Sequence, residues 1–248
     1  MKKTVVHIIT PVITKGIRTL DDVTPFERED LAIRHSLLDA GPSSIECEFD
    51  EALSVPDTVL KAIEAERSGA DALIIDCMGD PGLNACREVV NIPVLGPGQA
   101  SMHFAAMLGH RFSFVTVLDC LRPMIDDMVS KYGLKDSYAS FESVNVPVLD
   151  IHEDMIKLQD AMLEKSLIAV KDKHAGAIVL GCTGFLGCAE AIKTGLLDQG
   201  LNVPVIDPIP LTLHLADSLV KTGLSHSKVI YPAPRDKELI GYSFPQLS

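Results

Sequence analysis

Two cysteines stand at equivalent places in two segments of the chain that resemble each other. Residues 70–79 (ADALIIDCMG) align without a gap with residues 175–184 (AGAIVLGCTG), so Cys77 matches Cys182 at a spacing of 105 residues. Each cysteine follows a short apolar run typical of a buried strand, and in open α/β sheets ligands bind at the carboxyl ends of the strands. A single cysteine there would be interpreted as a packed core residue, but a matched pair indicates a shared chemical role.

Two thiols that face each other across a cleft suit the inversion of a stereocentre. One thiolate removes a proton from one face of a carbon, and the opposing thiol supplies a proton to the other face. The backbone N–H groups of Gly79, Thr183 and Gly184 are expected to hold an oxygen that gains negative charge in this reaction. Asp76 is given no role, because alternation along a strand directs neighbouring side chains to opposite faces.

Both thiols are predicted to lie near helix N-termini. Asp80 and Pro81 have the residue types of an N-cap and a first helical position, and Thr183 is the corresponding candidate cap after Cys182. The partial positive charge at a helix N-terminus favours a thiolate, so we expect the pKa of both thiols to be lowered.

The sequence offers no cofactor motif. It has no glycine-rich dinucleotide loop, no lysine in a context typical of pyridoxal phosphate, and no Cys-x-x-Cys or His–Cys spacing suited to zinc. We therefore expect a reaction that uses no cofactor and no metal ion.

Short apolar runs alternate with longer amphipathic stretches along the whole chain, which predicts an α/β fold with mainly parallel sheets. The predicted buried strands are residues 5–9, 72–75, 92–95, 112–117, 177–180 and 203–206. Helices that cover the sheets are predicted at residues 59–68, 123–132, 153–173 and 211–222.

A second repeated block indicates that the chain consists of two related halves. Residues 92–97 (IPVLGP) match residues 203–208 (VPVIDP) at a spacing of 111 residues. We predict two pseudo-symmetric α/β lobes with the active site in the cleft between them. Because the helices near 100–109 and 211–222 are expected to cross between the lobes, the first lobe is predicted to comprise 1–97 plus about 209–248, and the second 98–208.

Three segments carry a family resemblance: residues 76–83 (DCMGDPGL), 112–118 (FSFVTVL) and 180–184 (LGCTG). They resemble the signatures of the aspartate/glutamate/hydantoin racemase superfamily, and the first is most similar to the hydantoin and allantoin racemase branch. The resemblance implies two lobes, Cys77 and Cys182 as an acid/base pair, no cofactor, and substrate contacts from Thr116 and from the backbone after each cysteine.

The resemblance has two departures. Thr10-Pro11-Val12 stands where the hydantoin branch typically has Asn-Pro-Asn. The second cysteine motif of that branch often reads Gly-Cys-Ala-Gly, whereas Thr183 in this chain is similar to the residue in the amino-acid branch. These departures leave the superfamily assignment intact, but they bear on the substrate. The residues predicted to bind substrate are Pro11, Val12, Gly79, Asp80, Thr116, Val117, Thr183 and Gly184.

The sequence therefore predicts an isomerase: a cofactor-independent racemase of a 5-substituted hydantoin or an allantoin-like ring amide. A neutral ring is favoured because a buried carboxylate needs a cationic partner and no Arg or Lys is expected close to the three motifs, the nearest in sequence being Arg87, Arg111 and Arg122. Alternatives are an acidic amino-acid racemase, a cysteine-dependent cis–trans isomerase of an unsaturated diacid, and a nonenzymatic two-lobed binding protein.

Charge and hydropathy restrict the partners and the location. A net charge of −12 disfavours nucleic-acid binding, and no apolar stretch approaches the length of a membrane span. No export signal is recognised at the N-terminus, so a cytoplasmic location is predicted. The predicted partners are a small-molecule substrate and further copies of the chain in a homo-oligomer. Residues 21–30 are interpreted as a solvated loop and helix start, or as a lid, and the tail from Ser225 as extended chain or a subunit contact.

Overall fold

Two parallel four-stranded sheets form the centre of the protein, whose computed structural model describes residues 3–242 and 244–245. The first sheet has the order β2-β1-β3-β4, and the second has the order β6-β5-β7-β8. The strands are β1 (Thr4–Thr10), β2 (Leu31–Leu37), β3 (Ala72–Ile75), β4 (Val94–Leu95), β5 (Phe112–Thr116), β6 (Tyr138–Ser143), β7 (Ala177–Leu180) and β8 (Val205–Ile206). The predicted α/β class is confirmed.

Eight α-helices flank the sheets. They are α1 (Leu20–Val23), α2 (Glu48–Arg67), α3 (Leu83–Val89), α4 (Pro97–Gly109), α5 (Arg122–Lys131), α6 (Met155–Lys171), α7 (Ala189–Asp198) and α8 (Pro208–Thr222) within the described residues. The amphipathic stretches predicted the positions of α2, α5, α6 and α8, although α2 begins 11 residues before the predicted start at 59. No helix in the described part of the chain has the length and apolar character needed to span a membrane.

The strand register repeats between the two sheets. Leu73 pairs with Val94 in the first sheet, and Ile178 pairs with Val205 in the second, which reproduces the spacings of 105 and 111 residues. The amides of Leu73 and Ile178 also donate to equivalent carbonyls, those of Pro93 and Pro204, at 2.8 and 2.9 Å. The internal repeat is therefore a repeat of backbone pairing.

The sequence patterns missed β2 and β6, which are the edge strands on one side of each sheet. Only two residues of each are buried, whereas β3, β5 and β7 are buried at every position. An edge strand with one solvated face carries polar side chains such as Arg34 and Glu142, so it lacks the continuous apolar run of a central strand.

Helices α4 and α8 connect the two sheets. Helix α8 follows the second sheet in the chain but packs on β1, β3 and β4 of the first, while α4 packs on β5 and β7 of the second. Gly109 at the end of α4 and Gly176 before β7 bring their backbones so close that neither position has room for a Cβ. These contacts support the proposed division into 1–97 with about 209–248 and 98–208, which stays a prediction.

Two further segments show how the sheets are bordered. Residues 20–26 form α1 and a 3₁₀ turn that lead into β2, and most of their side chains are exposed. The described part of the tail after α8 is irregular. Its start lies beside β4, where Ser225 Oγ donates to the Asn91 carbonyl at 2.7 Å and His226 Nε2 lies 2.9 Å from the Val94 amide nitrogen.

Candidate active site

Cys77 and Cys182 line one cavity between the two lobes. Each follows its strand by two positions, β3 ending at Ile75 and β7 at Leu180. Both cysteines are partly exposed, and neither is in a disulfide. The repeated sequence thus places two free thiols at equivalent strand ends around a common space.

A glycine two residues after each cysteine brings a backbone amide to the sulfur. The amides of Gly79 and Gly184 hydrogen-bond to Cys77 and Cys182, respectively. A Cβ placed on Gly79 would lie 3.8 Å from Cys77 Sγ, and one on Gly184 would lie 3.4 Å from Cys182 Sγ. A Cβ would also lie 2.5 Å from Glu51 Oε2 at Gly79 and 2.9 Å from Ile151 Cδ1 at Gly184, so both turns have room only for glycine. Their amides stabilise a thiolate.

Burial raises the pKa of both thiols, so the predicted lowering was wrong. The pKa of Cys77 lies well above its ordinary value, and that of Cys182 is raised to about 11. In both cases loss of hydration outweighs the hydrogen bond from the glycine amide. Helix α3 begins only at Leu83, and a 3₁₀ turn over Thr183–Phe185 follows Cys182, so neither thiol stands at an α-helix N-terminus.

Asp80 does not cap α3, whose N-cap is Gly82 with a φ of 69°. Its buried carboxylate instead accepts hydrogen bonds from the amides of Gly98 and Gln99, at 2.9 and 2.7 Å, and from Tyr132 Oη at 2.7 Å. Burial raises the pKa of this carboxyl to about 6, against the effect of its three donors. Asp80 thus fixes the first turn of α4 and is not among the cavity-lining residues.

Thr10 and Thr116 hold equivalent places at the ends of the first strands of the two sheets. Thr10 Oγ1 donates to Asp76 Oδ2 at 2.7 Å, and Thr116 Oγ1 donates to the Gly181 carbonyl at 2.9 Å. Thr116 is fully buried and does not line the cavity, whereas Thr10 does. The structure therefore places Thr116 where it supports the strand end that carries Cys182.

The cavity wall contains an ion pair that no sequence pattern indicated. Arg18 Nε lies 2.9 Å from Asp76 Oδ2, and Arg18 Nη2 donates to the Thr183 carbonyl at 2.6 Å. The two charged side chains are only 6% and 1% exposed. The expectation that no basic residue lies near the motifs was wrong, because Arg18 precedes Asp76 by 58 residues and no local pattern links them.

Asp76 also corrects the expectation from strand alternation. Because β3 ends at Ile75, Asp76 and Cys77 belong to the following turn, and both line the cavity. The Thr183 hydroxyl donates to the Asp76 carbonyl oxygen at 3.3 Å, so the two cysteine-bearing turns are tied directly to each other.

Six of the eight predicted substrate-binding residues line the cavity with the two thiols: Pro11, Val12, Gly79, Val117, Thr183 and Gly184. The predicted Asp80 and Thr116 lie outside that lining. Most of the additional wall is apolar and comes from separate parts of the chain, including Ile17, Ile45, Leu121, Met124, Ile125, Val148 and Ile151. No short motif joins these residues, so only the folded chain brings them together.

Comparisons with known proteins identify the family to which the chain belongs. The family model described as Asp/Glu/Hydantoin racemase matches residues 26–216. A hydantoin racemase of Pseudomonas sp. (strain NS671) is 37% identical over 81% of this chain and 79% of its own length. One of Rhizobium meliloti is 34% identical over 96% and 98% of the two chains. Allantoin racemase from Klebsiella pneumoniae superposes with a TM-score of 0.88 at 30% identity, covering 96% of this chain and 97% of that one.

Proposed function

Because the chain belongs to the Asp/Glu/hydantoin racemase family, we propose that this isomerase inverts the stereocentre of a 5-substituted hydantoin or a related ring amide by acid/base chemistry of Cys77 and Cys182. The observation that carries the proposal is that two free thiols at equivalent strand ends line one cavity. The hydantoin racemases at 34–37% identity and the allantoin racemase structure support the ring-amide substrate.

The proposed reaction moves one proton onto a carbon and one proton away from it. A thiolate on one side takes the carbon-bound proton, the C–H electron pair moves into the adjacent carbonyl as an enolate, and the opposite thiol protonates the other face. The raised pKa makes each thiolate a stronger base toward a carbon-bound proton, but it also lowers the fraction of thiolate near neutral pH. The Gly79 and Gly184 amides stabilise whichever sulfur is charged.

The cavity favours a neutral ring with an apolar substituent. Its wall is rich in aliphatic and methionine side chains, and the charge of Arg18 is compensated by Asp76. A substrate carboxylate would have to compete with Asp76 for the guanidinium, and an unpaired buried carboxylate is unfavourable by several kcal/mol. A hydantoin ring offers amide groups without a full charge and so avoids this competition.

An acidic amino-acid racemase is the second candidate, and the Arg18–Asp76 pair is the observation that favours it. A guanidinium and a carboxylate side by side are complementary to the carboxylate and ammonium groups of an amino acid. For this substrate the ion pair would have to open on binding.

Polarimetry on enantiopure substrates distinguishes the two candidates. We expect loss of optical rotation with 5-alkyl or 5-aralkyl hydantoins, and none with aspartate or glutamate. Racemisation of aspartate or glutamate without any turnover of hydantoins or allantoin would reject the ring-amide proposal.

Isotope exchange tests the two-base mechanism separately. In D₂O, product formed from one enantiomer should carry solvent deuterium at the inverted carbon, because the donor thiol has exchanged with solvent before the reaction. First-formed product that retains the proton of the substrate, as measured by NMR, would indicate a single base that serves both faces.

A further inference from the structure

The two thiols have different charged neighbours, although their backbone settings are equivalent. Glu51, in the first turn of α2, lies over the turn that carries Cys77. A Cβ on Gly79 would lie 2.5 Å from Glu51 Oε2 and 3.8 Å from Cys77 Sγ, so the oxygen and the sulfur are no farther apart than the sum of these distances. Glu51 Oε2 is buried and has no hydrogen-bond partner within the described residues.

The surroundings of Cys77 are negative. Besides burial, the carboxyls of Glu51 and Asp80 and the thiol of Cys182 raise the pKa of Cys77, and only the hydrogen bond from the Gly79 amide lowers it. A thiolate on Cys77 would therefore lie next to the Glu51 carboxylate, whose buried oxygen has no hydrogen-bond donor within the described residues.

Cys182 has a cation in its surroundings. Arg18 donates to the carbonyl of the next residue, Thr183, at 2.6 Å, and its charge lowers the pKa of Cys182. Burial and the Asp76 carboxylate each raise the pKa of Cys182 by more than Arg18 lowers it, and Glu46 adds to the rise, but Asp76 is itself paired with Arg18. The position that corresponds to Glu51 is apolar in the second lobe, where the Cβ position of Gly184 faces Ile151.

We propose that Glu51 is a positioning residue that keeps the proton on Cys77, so that Cys182 is the first of the two thiols to ionise. The assignment of roles rests on the proposed function. In the resting enzyme Cys182 is then the base that removes the carbon-bound proton, and the Cys77 thiol donates its proton to the opposite face. This half-reaction leaves a thiol on Cys182 and a thiolate on Cys77, and exchange with solvent restores the resting form.

The ionisation of Glu51 sets the pH range in which it opposes the ionisation of Cys77. Burial, Glu48 and Asp80 raise the pKa of Glu51 to about 7, while Lys131 opposes them. Glu51 is therefore mainly charged above pH 7, and its repulsion of a Cys77 thiolate is strongest there. The test belongs in the alkaline range.

The experiment is alkylation of the full chain with iodoacetamide between pH 7.5 and 10, with each cysteine quantified by peptide mass spectrometry. We expect the rate at Cys182 to rise at lower pH than the rate at Cys77. In Glu51→Gln the profile of Cys77 should move down by about one pH unit, equivalent to a tenfold rise in thiolate at fixed pH. The profile of Cys182 should stay in place.

Two variants control for structural effects. Glu48→Gln makes the same charge change one turn earlier on α2, where the side chain is exposed, and should leave the Cys77 profile near that of the wild type. Glu51→Asp keeps the charge and should retain the order of the two cysteines. An unshifted Cys77 profile in Glu51→Gln, or a wild-type Cys77 that ionises before Cys182, would overturn the proposal.

The readout needs no substrate, so it separates this inference from the proposed function. If the alkylation order holds but no ring amide is racemised, the proposed function fails and the electrostatic assignment stands. If racemisation occurs with the opposite alkylation order, only the assignment fails.

Discussion

At the residue scale, the reactivity proposed for the two thiols depends on burial opposed by one backbone donor each. Cys86 and Cys188 are fully buried in the core, while Cys47 and Cys120 are exposed. Cys77 and Cys182 combine partial exposure toward a cavity with a hydrogen bond from a glycine amide. This combination sets them apart from the other four cysteines.

Replacement of either thiol tests its role. We expect Cys77→Ser and Cys182→Ser each to lower the racemisation rate by at least about 10²–10⁴-fold, because a serine hydroxyl is too weak an acid to form the required base near neutral pH. The fold should be retained, as judged by circular dichroism. Cys120→Ser makes the same chemical change at an exposed site and should keep wild-type activity. Full activity in either Cys77→Ser or Cys182→Ser would refute the paired-thiol mechanism.

The buried ion pair predicts a large effect of removing one charge. Arg18→Leu leaves the Asp76 carboxylate buried without its cation, so the free energy of unfolding should fall by about 3–5 kcal/mol in urea titrations. Lys193→Leu breaks the exposed Lys193–Glu190 pair and should cost less than about 1 kcal/mol. Equal losses in the two variants would show that the Arg18–Asp76 pair is not a desolvated interaction.

At the element scale, Asp80 joins three elements that carry the site. It follows β3, and its carboxylate accepts hydrogen bonds from the first amides of α4 and from Tyr132 at the C-terminal end of α5. Because α5 belongs to the second half of the chain, this contact also sets the position of one half against the other.

Removal of the tyrosine hydroxyl tests that connection. Tyr132→Phe deletes the donor to a buried carboxylate, so stability should fall by about 1.5–3 kcal/mol and activity should fall with it. Tyr242→Phe makes the same change at a side chain that is 53% exposed, and its unfolding midpoint should match that of the wild type. A Tyr132→Phe variant as stable as the wild type would contradict this account.

At the scale of the whole molecule, α4 ends the first repeated half of the chain and α8 ends the second, and each of these helices packs on the sheet of the other half. Each half therefore depends on the other. The core around Val6, Ile8 and Ile74 of the first sheet is completed by Ile209 and Leu213 of α8. The second sheet is in turn covered by α4, which precedes it in the chain. Neither sheet therefore buries its apolar faces with residues of its own half alone.

We accordingly expect one cooperative unfolding transition for the full chain. Circular dichroism at 222 nm and tyrosine fluorescence should give coincident denaturant midpoints. A chain that ends at residue 207 should lack a cooperative transition, because the face of the first sheet under α8 would be exposed to water. Two separate transitions in the full chain would mean that the halves fold independently.

The sequence by itself determined the α/β class, the paired strand ends and the equivalence of Cys77 and Cys182. These features are local: a continuous apolar run records a strand buried on both faces, and the 105-residue repeat records the same backbone pairing twice. The apolar-run pattern did not predict the edge strands β2 and β6, because solvent on one side permits polar residues there.

Only the tertiary structure decided the electrostatics of the site. Arg18 reaches Asp76 and Thr183 across 58 and 165 residues of chain, and Glu51 meets the Cys77 turn from another helix. No periodic pattern in the sequence indicates such long-range contacts, since they depend on how loops and helices pack against the sheets. The direction of the thiol pKa shifts was misjudged for the same reason: burial is a property of the assembled molecule, and here its effect exceeds that of the nearby backbone donors.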